Sequence, residues 1–291
     1  MAAQKNHSSI TNYLSLVKFS HTIFALPFAV IGYFLAITFT KTQFNLRLFA
    51  LVVLCMVFAR SAAMAFNRYI DRIIDKENTR TAIREIPSGL IEAKSALFFV
   101  IINSLLFILT TYFINKLCFY LSPIALIIVL GYSLTKRFTA LCHLILGIGL
   151  SLAPIGAYLA VTGVFNWLPL FFSFAVLFWV SGFDIIYALQ DEEFDKSKNL
   201  KSIPVLLGKK GALLLSTILH IFSALFIITA GFYADFNTWY WIGAIFFCGL
   251  LIYQHLLVKP NDLSKVNIAF FTTNGIASVI FSIFVLIDLY L

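Results

Sequence analysis

The sequence predicts an all-α integral membrane protein, a bundle of nine transmembrane helices, and three observations lead there. Of its 291 residues, 61% are hydrophobic and 12% charged, against roughly 45–50% and about 25% in an ordinary soluble domain. The apolar residues come in runs long enough to cross a bilayer, and the mean hydropathy is +0.94. The basic residues collect between alternate runs. This composition excludes a soluble enzyme, a disordered chain and a nucleic-acid binder.

A spanning helix needs about 20 predominantly apolar residues. Nine stretches meet that need: 22–39, 46–66, 95–114, 117–134, 141–161, 167–189, 212–232, 239–258 and 268–289. No strand alternation competes with them, and apart from closed barrels only helices satisfy their own backbone in lipid. The first run carries Pro27 near its middle, and no small-residue cleavage site follows it, so it reads as a span and not a secretory signal. A single domain is expected over 1–291. Cys55, Cys118, Cys142 and Cys248 lack C-x-x-C spacing and read as small buried hydrophobes.

Orientation follows from Lys and Arg. With the N-terminus on the cytoplasmic side, Lys5, Lys18, the basic residues of 68–94, Lys136, Arg137, those of 196–210, Lys259 and Lys265 are all inside. Of 21 Lys and Arg, only Lys41, Arg47 and Lys116 fall outside, and Arg60 lies within a span. That is a strong positive-inside bias, so the net charge of +8 expresses orientation rather than a polyanion partner.

Two connections, about 67–94 and 190–211, are longer than the rest and carry both signs of charge. The first contains NRYIDRIIDKENTRTAIREIPSG, and the second, with its preceding helix end, reads YALQDEEFDKSKNLKSIPVLLG. Each presents acidic residues four apart, then basic residues, Ile-Pro and Gly. This correspondence points to a duplicated unit with two equivalent sites facing one another. Four residues on a helix advance about 400°, so each step drifts only ~40°. Asn67, Asp71 and Asp75 therefore share one face, as do Tyr187, Asp191 and Asp195. Four carboxylates at one cleft repel unless cations bind, and two Mg²⁺ ions would neutralise them. Arg72, Arg80, Lys198 and Lys201 are then available to a diphosphate. The expected ligand has a doubly phosphorylated head and an apolar tail in the bilayer.

At these residues the chain resembles the UbiA-type intramembrane prenyltransferases, whose hallmarks are N-x-x-x-D-x-x-x-D and a second D-x-x-x-D. They stand here as Asn67-Asp71-Asp75 and Asp191-Asp195, with Tyr187 where many members carry Tyr. Arg68 occupies a position where many members have a further Asp. The strings KFSHTIFALPFA (18–29), ARSAAMAFNR (59–68), YSLTKR (132–137) and SKVNIAFFTTNG (264–275) resemble the 4-hydroxybenzoate polyprenyltransferase branch, which includes menaquinone-pathway relatives. The resemblance implies Mg²⁺-dependent transfer of a polyprenyl group from its diphosphate to an aromatic acid or phenol in respiratory quinone synthesis. The acceptor implied is 4-hydroxybenzoate, with a hydroxynaphthoate as the alternative. Asp71, Asp75, Asp191 and Asp195 would hold the metal at the cytoplasmic face of a bacterial inner membrane. Asn67 would assist the acceptor, and Tyr132, Lys136 and Arg137 would close the site or bind either substrate.

Arg60 and Asp184 each lie seven residues before a motif, two turns deeper on the same face. Ionisable groups inside spans are functional suspects. Arg60 suits an acceptor carboxylate; the competing reading is an Arg60–Asp184 ion pair that fixes the bundle. Most of the aromatic residues are expected against lipid, with Trp167, Trp239 and Trp241 at the interface. His21 and His143 read as polar packing, Gly147, Gly149, Gly156 and Gly163 as close helix contacts, and Asp235 and Asp288 as peripheral. A cation-coupled transporter is the rival of a different class. A CDP-alcohol-type phosphotransferase is disfavoured because its D-G-x-x-A-R pattern is absent.

Overall fold

A computed structural model describes residues 9–17 and 24–291. Lys5, Lys18, His21, the start of the first expected span and part of the 18–29 string lie outside the described residues. The elements in order are α1 (Ser9–Leu16), α2 (Leu26–Thr40), α3 (Leu46–Glu77), α4 (Ala93–Tyr112), α5 (Lys116–Thr135), α6 (Cys142–Thr162), α7 (Trp167–Ala188), α8 (Glu192–Ser197), α9 (Ile203–Tyr233), α10 (Thr238–Leu257) and α11 (Asn274–Tyr290). Among the described residues there is no strand. Eight of the helices in the described residues are long and apolar enough to cross a membrane; α2 is a shorter apolar helix of 15 residues.

Sequence chemistry starts and stops these helices. Asn45, Asn115 and Asn166 open α3, α5 and α7, each accepting a hydrogen bond from a backbone N–H of the first turn. Asn237 opens α10 without such a bond. In its place Asp288 of α11 accepts from the Asn237 and Tyr240 N–H groups at 2.9 and 3.0 Å. Asp288 is therefore buried and structural, not peripheral. Ser202 caps α9 ahead of Pro204, a residue suited to a first turn.

Close approach sets how the bundle packs. A Cβ on Gly32 would stand 2.1 Å from the Pro154 carbonyl oxygen, and one on Gly147 would stand 2.5 Å from that of Leu177. These glycines let α2 meet α6 and α6 meet α7. Gly156 has open space, and Gly163, at φ 68°, ends α6 in the left-handed conformation; neither is the packing contact expected. An aromatic core of Phe28, Phe172, Trp179, Tyr240, Phe247 and Phe281 lies where α2, α7, α10 and α11 converge. The expectation that aromatics mostly face lipid understates this core, although Trp167 and Trp239 are exposed.

Three irregularities place the site. First, α3 has 32 residues, about 48 Å at 1.5 Å per residue, against a hydrocarbon layer of about 30 Å. Its last turns, with Asp71 and Asp75, therefore project beyond the apolar layer. Second, α7 ends at Ala188, a tight 3₁₀ turn spans Leu189–Asp191, and α8 follows. Tyr187, Asp191 and Asp195 thus lie on a bent segment and not on the single helix face expected. Third, Ile268–Thr273 forms a π-helical turn, widened where the Asn274 amide donates to the Ala269 and Phe270 carbonyls at 3.0 Å each. Both long connections end in a left-handed glycine after Ile-Pro, Gly89 at φ 80° and Gly208 at φ 66°. Gly208 breaks α9 just inside its start.

Candidate functional site

Both acidic motifs open onto one cavity of about 270 Å³. From α3 it is lined by Arg60, Met64, Asn67, Arg68, Asp71 and Asp75, and from α7 onward by Asp184, Tyr187, Asp191 and Asp195. Asp71 and Asp75 are 2% and 5% exposed. Buried carboxylates need partners, and each has found cations from a different segment. Asp71 pairs with Lys136 at 3.0 Å and Arg137 at 2.9 Å, the two residues that end α5, where positive charge also suits the helix dipole. Arg137 further donates to the Ile70 and Ser133 carbonyls, tying α5 to α3. Asp75 receives Arg84 on both oxygens at 2.7 and 2.8 Å. Asn67 donates to Asp71 at 3.4 Å.

The first connection reaches across to the second motif. Arg80 forms an ion pair with Asp191, donating through Nε at 3.0 Å as well as through Nη2, and its Nη1 donates to the Tyr187 hydroxyl at 3.0 Å. Burial alone would weaken the Arg80 charge, but Asp191 and Tyr187 outweigh it and hold the group above its ordinary pKa. Asn78 makes this reach possible. Its side-chain oxygen accepts from the Arg80 N–H at 2.9 Å in an Asx turn, and its amide donates to Asp191 at 3.3 Å. Tyr187 stacks on Phe270 at 4.2 Å, a ring brought to the cavity wall by the π-helical turn.

Deeper in the bundle, a second, largely apolar chamber of about 350 Å³ lies among α3, α4, α5 and α6. It shares Arg60, Met64, Tyr132, Leu146 and Leu150 with the polar cavity, so a charged space and an apolar space lie side by side across these residues. Arg60 sits at the junction, and its Nε has no partner among the described residues.

The structure thus gathers Asn67, Asp71, Asp75, Asp191, Asp195, Arg60, Arg80, Tyr132, Lys136, Asp184 and Tyr187 around one space; Arg137 joins through its bond to Asp71. It does not bring Arg72, Lys198 or Lys201 to the lining. Arg72 folds back over the Tyr69 ring, 4.4 Å from its centroid, and Lys198 pairs with Glu77 at the surface. The Lys201 backbone N–H donates to the Lys136 carbonyl at 2.7 Å, which docks the second connection onto the end of α5. The Arg60–Asp184 ion pair is not formed. Asp184 bonds instead to His143 Nδ1 at 2.7 Å, with Ile203 N–H donating to Nε2 at 3.4 Å.

Sequence reasoning did not single out Arg84, Asn78, Arg68, His143 or Phe270 for the site. Only Asn78 carried a local signal, the N-x-R spacing of an Asx turn. All four cysteines are free thiols, and each is half-buried rather than buried as expected.

Among the described residues, no three His, Cys, Asp or Glu side chains converge as a ready metal cage. Four carboxylates in two pairs around one cavity still suit a hard, oxygen-seeking ion. Mg²⁺ in particular is commonly held by one or two carboxylates, with substrate phosphate oxygens completing its shell.

A helical membrane bundle whose two acidic segments meet at one cavity beside an apolar chamber is the architecture of an intramembrane transferase. The chain belongs to the UbiA prenyltransferase family, whose model matches residues 25–276. It is 30% identical over 234 residues to the 4-hydroxybenzoate octaprenyltransferase of Francisella tularensis subsp. mediasiatica (strain FSC147), covering 79% of this chain and 81% of that one. To the enzyme of the same name from Aliivibrio fischeri (strain MJ11) it is 33% identical over 236 residues, 79% of each chain. A UbiA homologue from Aeropyrum pernix K1 superposes with a TM-score of 0.83 at 30% identity, over 92% of this chain and 98% of that one. The Archaeoglobus fulgidus homologue bound to DMAPP and Mg²⁺ has the same fold, with a TM-score of 0.74 at 22% identity over 96% and 99%. The protein is an integral membrane prenyltransferase, and this decides against the transporter reading.

Proposed function

We propose that this enzyme transfers a polyprenyl group from its diphosphate to 4-hydroxybenzoate in respiratory quinone synthesis, at the cytoplasmic face of a bacterial inner membrane. One observation carries the reading: the four motif carboxylates line a cavity that shares Arg60 and Tyr132 with a neighbouring apolar chamber. The relatives named for the 4-hydroxybenzoate reaction support the acceptor. The positive-inside pattern supports the orientation.

Asp71, Asp75, Asp191 and Asp195 would hold Mg²⁺, which supplies positive charge to the diphosphate as it leaves. The chain's own residues do the rest. Arg80, Arg84 and Lys136 line the cavity and add charge-assisted hydrogen bonds to the leaving group. The prenyl chain lies in the apolar chamber, whose walls keep water from the allylic cation. Arg60, at the junction, receives the acceptor carboxylate and turns the phenol edge towards the prenyl carbon. The prenyl C–O bond breaks with its electron pair leaving on the diphosphate, the carbon beside the phenol oxygen bonds to the allylic cation, and the ring proton passes to the released diphosphate. Asn67 orients the acceptor from beside Asp71.

The test incubates purified membranes with Mg²⁺, labelled polyprenyl diphosphate and a panel of hydroxybenzoates and hydroxynaphthoates. Prenylated 4-hydroxybenzoate is expected, with turnover abolished in Asp71→Ala and Asp191→Ala although both still insert in the membrane. A naphthoate product alone moves the protein to menaquinone synthesis. Robust product from the double variant with metal chelated would overturn the mechanism.

A further inference from the structure

Arg68 is a buried cation in the cavity that forms no ion pair among the described residues. It stands on α3 three residues before Asp71 and seven before Asp75, spacings that put all three on one helix face. It is 6% exposed, it lines the same cavity as the four motif carboxylates, and its Nε has no hydrogen-bond partner among the described residues. Asp75, Glu85, Arg84 and Tyr132 lie within its electrostatic range. Asp75 is already held by Arg84; Glu85 accepts from Ser15 on Oε1, while its Oε2 has no hydrogen-bond partner among the described residues. An unpaired buried guanidinium carries a desolvation cost that an arriving anion would offset.

Two anions are available in the proposed reaction, the diphosphate and the acceptor carboxylate. Arg60 lies eight residues earlier, about 12 Å along the helix axis, at the junction with the apolar chamber. Arg60 lines both spaces, whereas Arg68 lines the polar cavity alone. Arg68 is within one turn of Asp71, at the level of the head group. Resting on the prenyl-diphosphate reading above, we propose that Arg68 binds the diphosphate, giving it a permanent protein charge beside the divalent ions. A guanidinium suits this role because it stays charged and offers a planar fork of donors to phosphate oxygens.

The test measures binding of inorganic pyrophosphate to the purified full-length protein by calorimetry, across a Mg²⁺ titration, for wild type, Arg68→Gln, Arg68→Lys and Glu85→Gln. Arg68→Gln is expected to weaken pyrophosphate at least tenfold at low Mg²⁺ and to raise the Mg²⁺ needed for half-maximal turnover severalfold, with the acceptor KM unchanged. Arg68→Lys should recover part of that affinity, and it carries the comparison if the Gln variant does not fold. Glu85→Gln should stay within twofold of wild type. Unchanged pyrophosphate affinity in the folded Arg68 variants overturns the proposal; if Arg68→Gln and Glu85→Gln then lose folded protein equally, Arg68 serves a structural pair with Glu85. Failure of the wild-type protein to bind pyrophosphate with Mg²⁺ present overturns the reading of the site itself.

Discussion

Asp71 and Asp288 are both buried carboxylates at helix ends, and their partners separate their roles. Asp71 faces Lys136 and Arg137, long side chains 28% and 26% exposed that can change partners when another anion arrives. Asp288 accepts from two backbone N–H groups that the fold holds in place. Replacing Asp288 with Ala removes the trans cap of α10 and should cost about 1–3 kcal/mol. It should lower the thermal midpoint of the detergent-solubilised protein while leaving KM for the prenyl diphosphate unchanged. A normal midpoint with a raised KM would move Asp288 into the site. At this scale the spacing in the sequence pointed to the four carboxylates that share the cavity. It could not reveal their partners: Arg84 reaches Asp75, and His143 takes Asp184 from Arg60, through tertiary folding that no local pattern encodes.

Among the elements, spans were readable because apolar length is dictated by bilayer thickness. The bend between α7 and α8 was not, since a four-residue spacing fits one continuous helix as well as a helix, a tight turn and a second helix. The π-helical turn was hidden for a related reason. Its cause is Asn274, fully buried among helices, whose side-chain oxygen also accepts from Trp179 at 2.8 Å. Glycines gave half a signal, marking α6 without telling contact from open space. Two substitutions separate these cases. Gly147→Ala forces a Cβ against the Leu177 carbonyl and should cost about 1–3 kcal/mol. Gly156→Ala meets nothing within 4 Å and should stay within about 0.5 kcal/mol of wild type. Denaturant unfolding in mixed micelles reads both, and equal effects would contradict the packing described for α6 and α7.

For the molecule as a whole, the fold brings two acidic segments more than 100 residues apart in sequence to one cavity and sets an apolar chamber beneath them. The sequence showed the matching segments. It did not show that the loop just after α3, through Asn78 and Arg80, would bind the second motif. The measurement that tests the central claim most directly is a structure of the full chain with Mn²⁺ and a prenyl thiodiphosphate. Anomalous density in the single cavity between Asp71 and Asp75 on one side and Asp191 and Asp195 on the other, with the prenyl tail past Arg60 in the chamber, is the predicted result. Metal density away from these carboxylates, or a diphosphate seated outside the cavity, would contradict it.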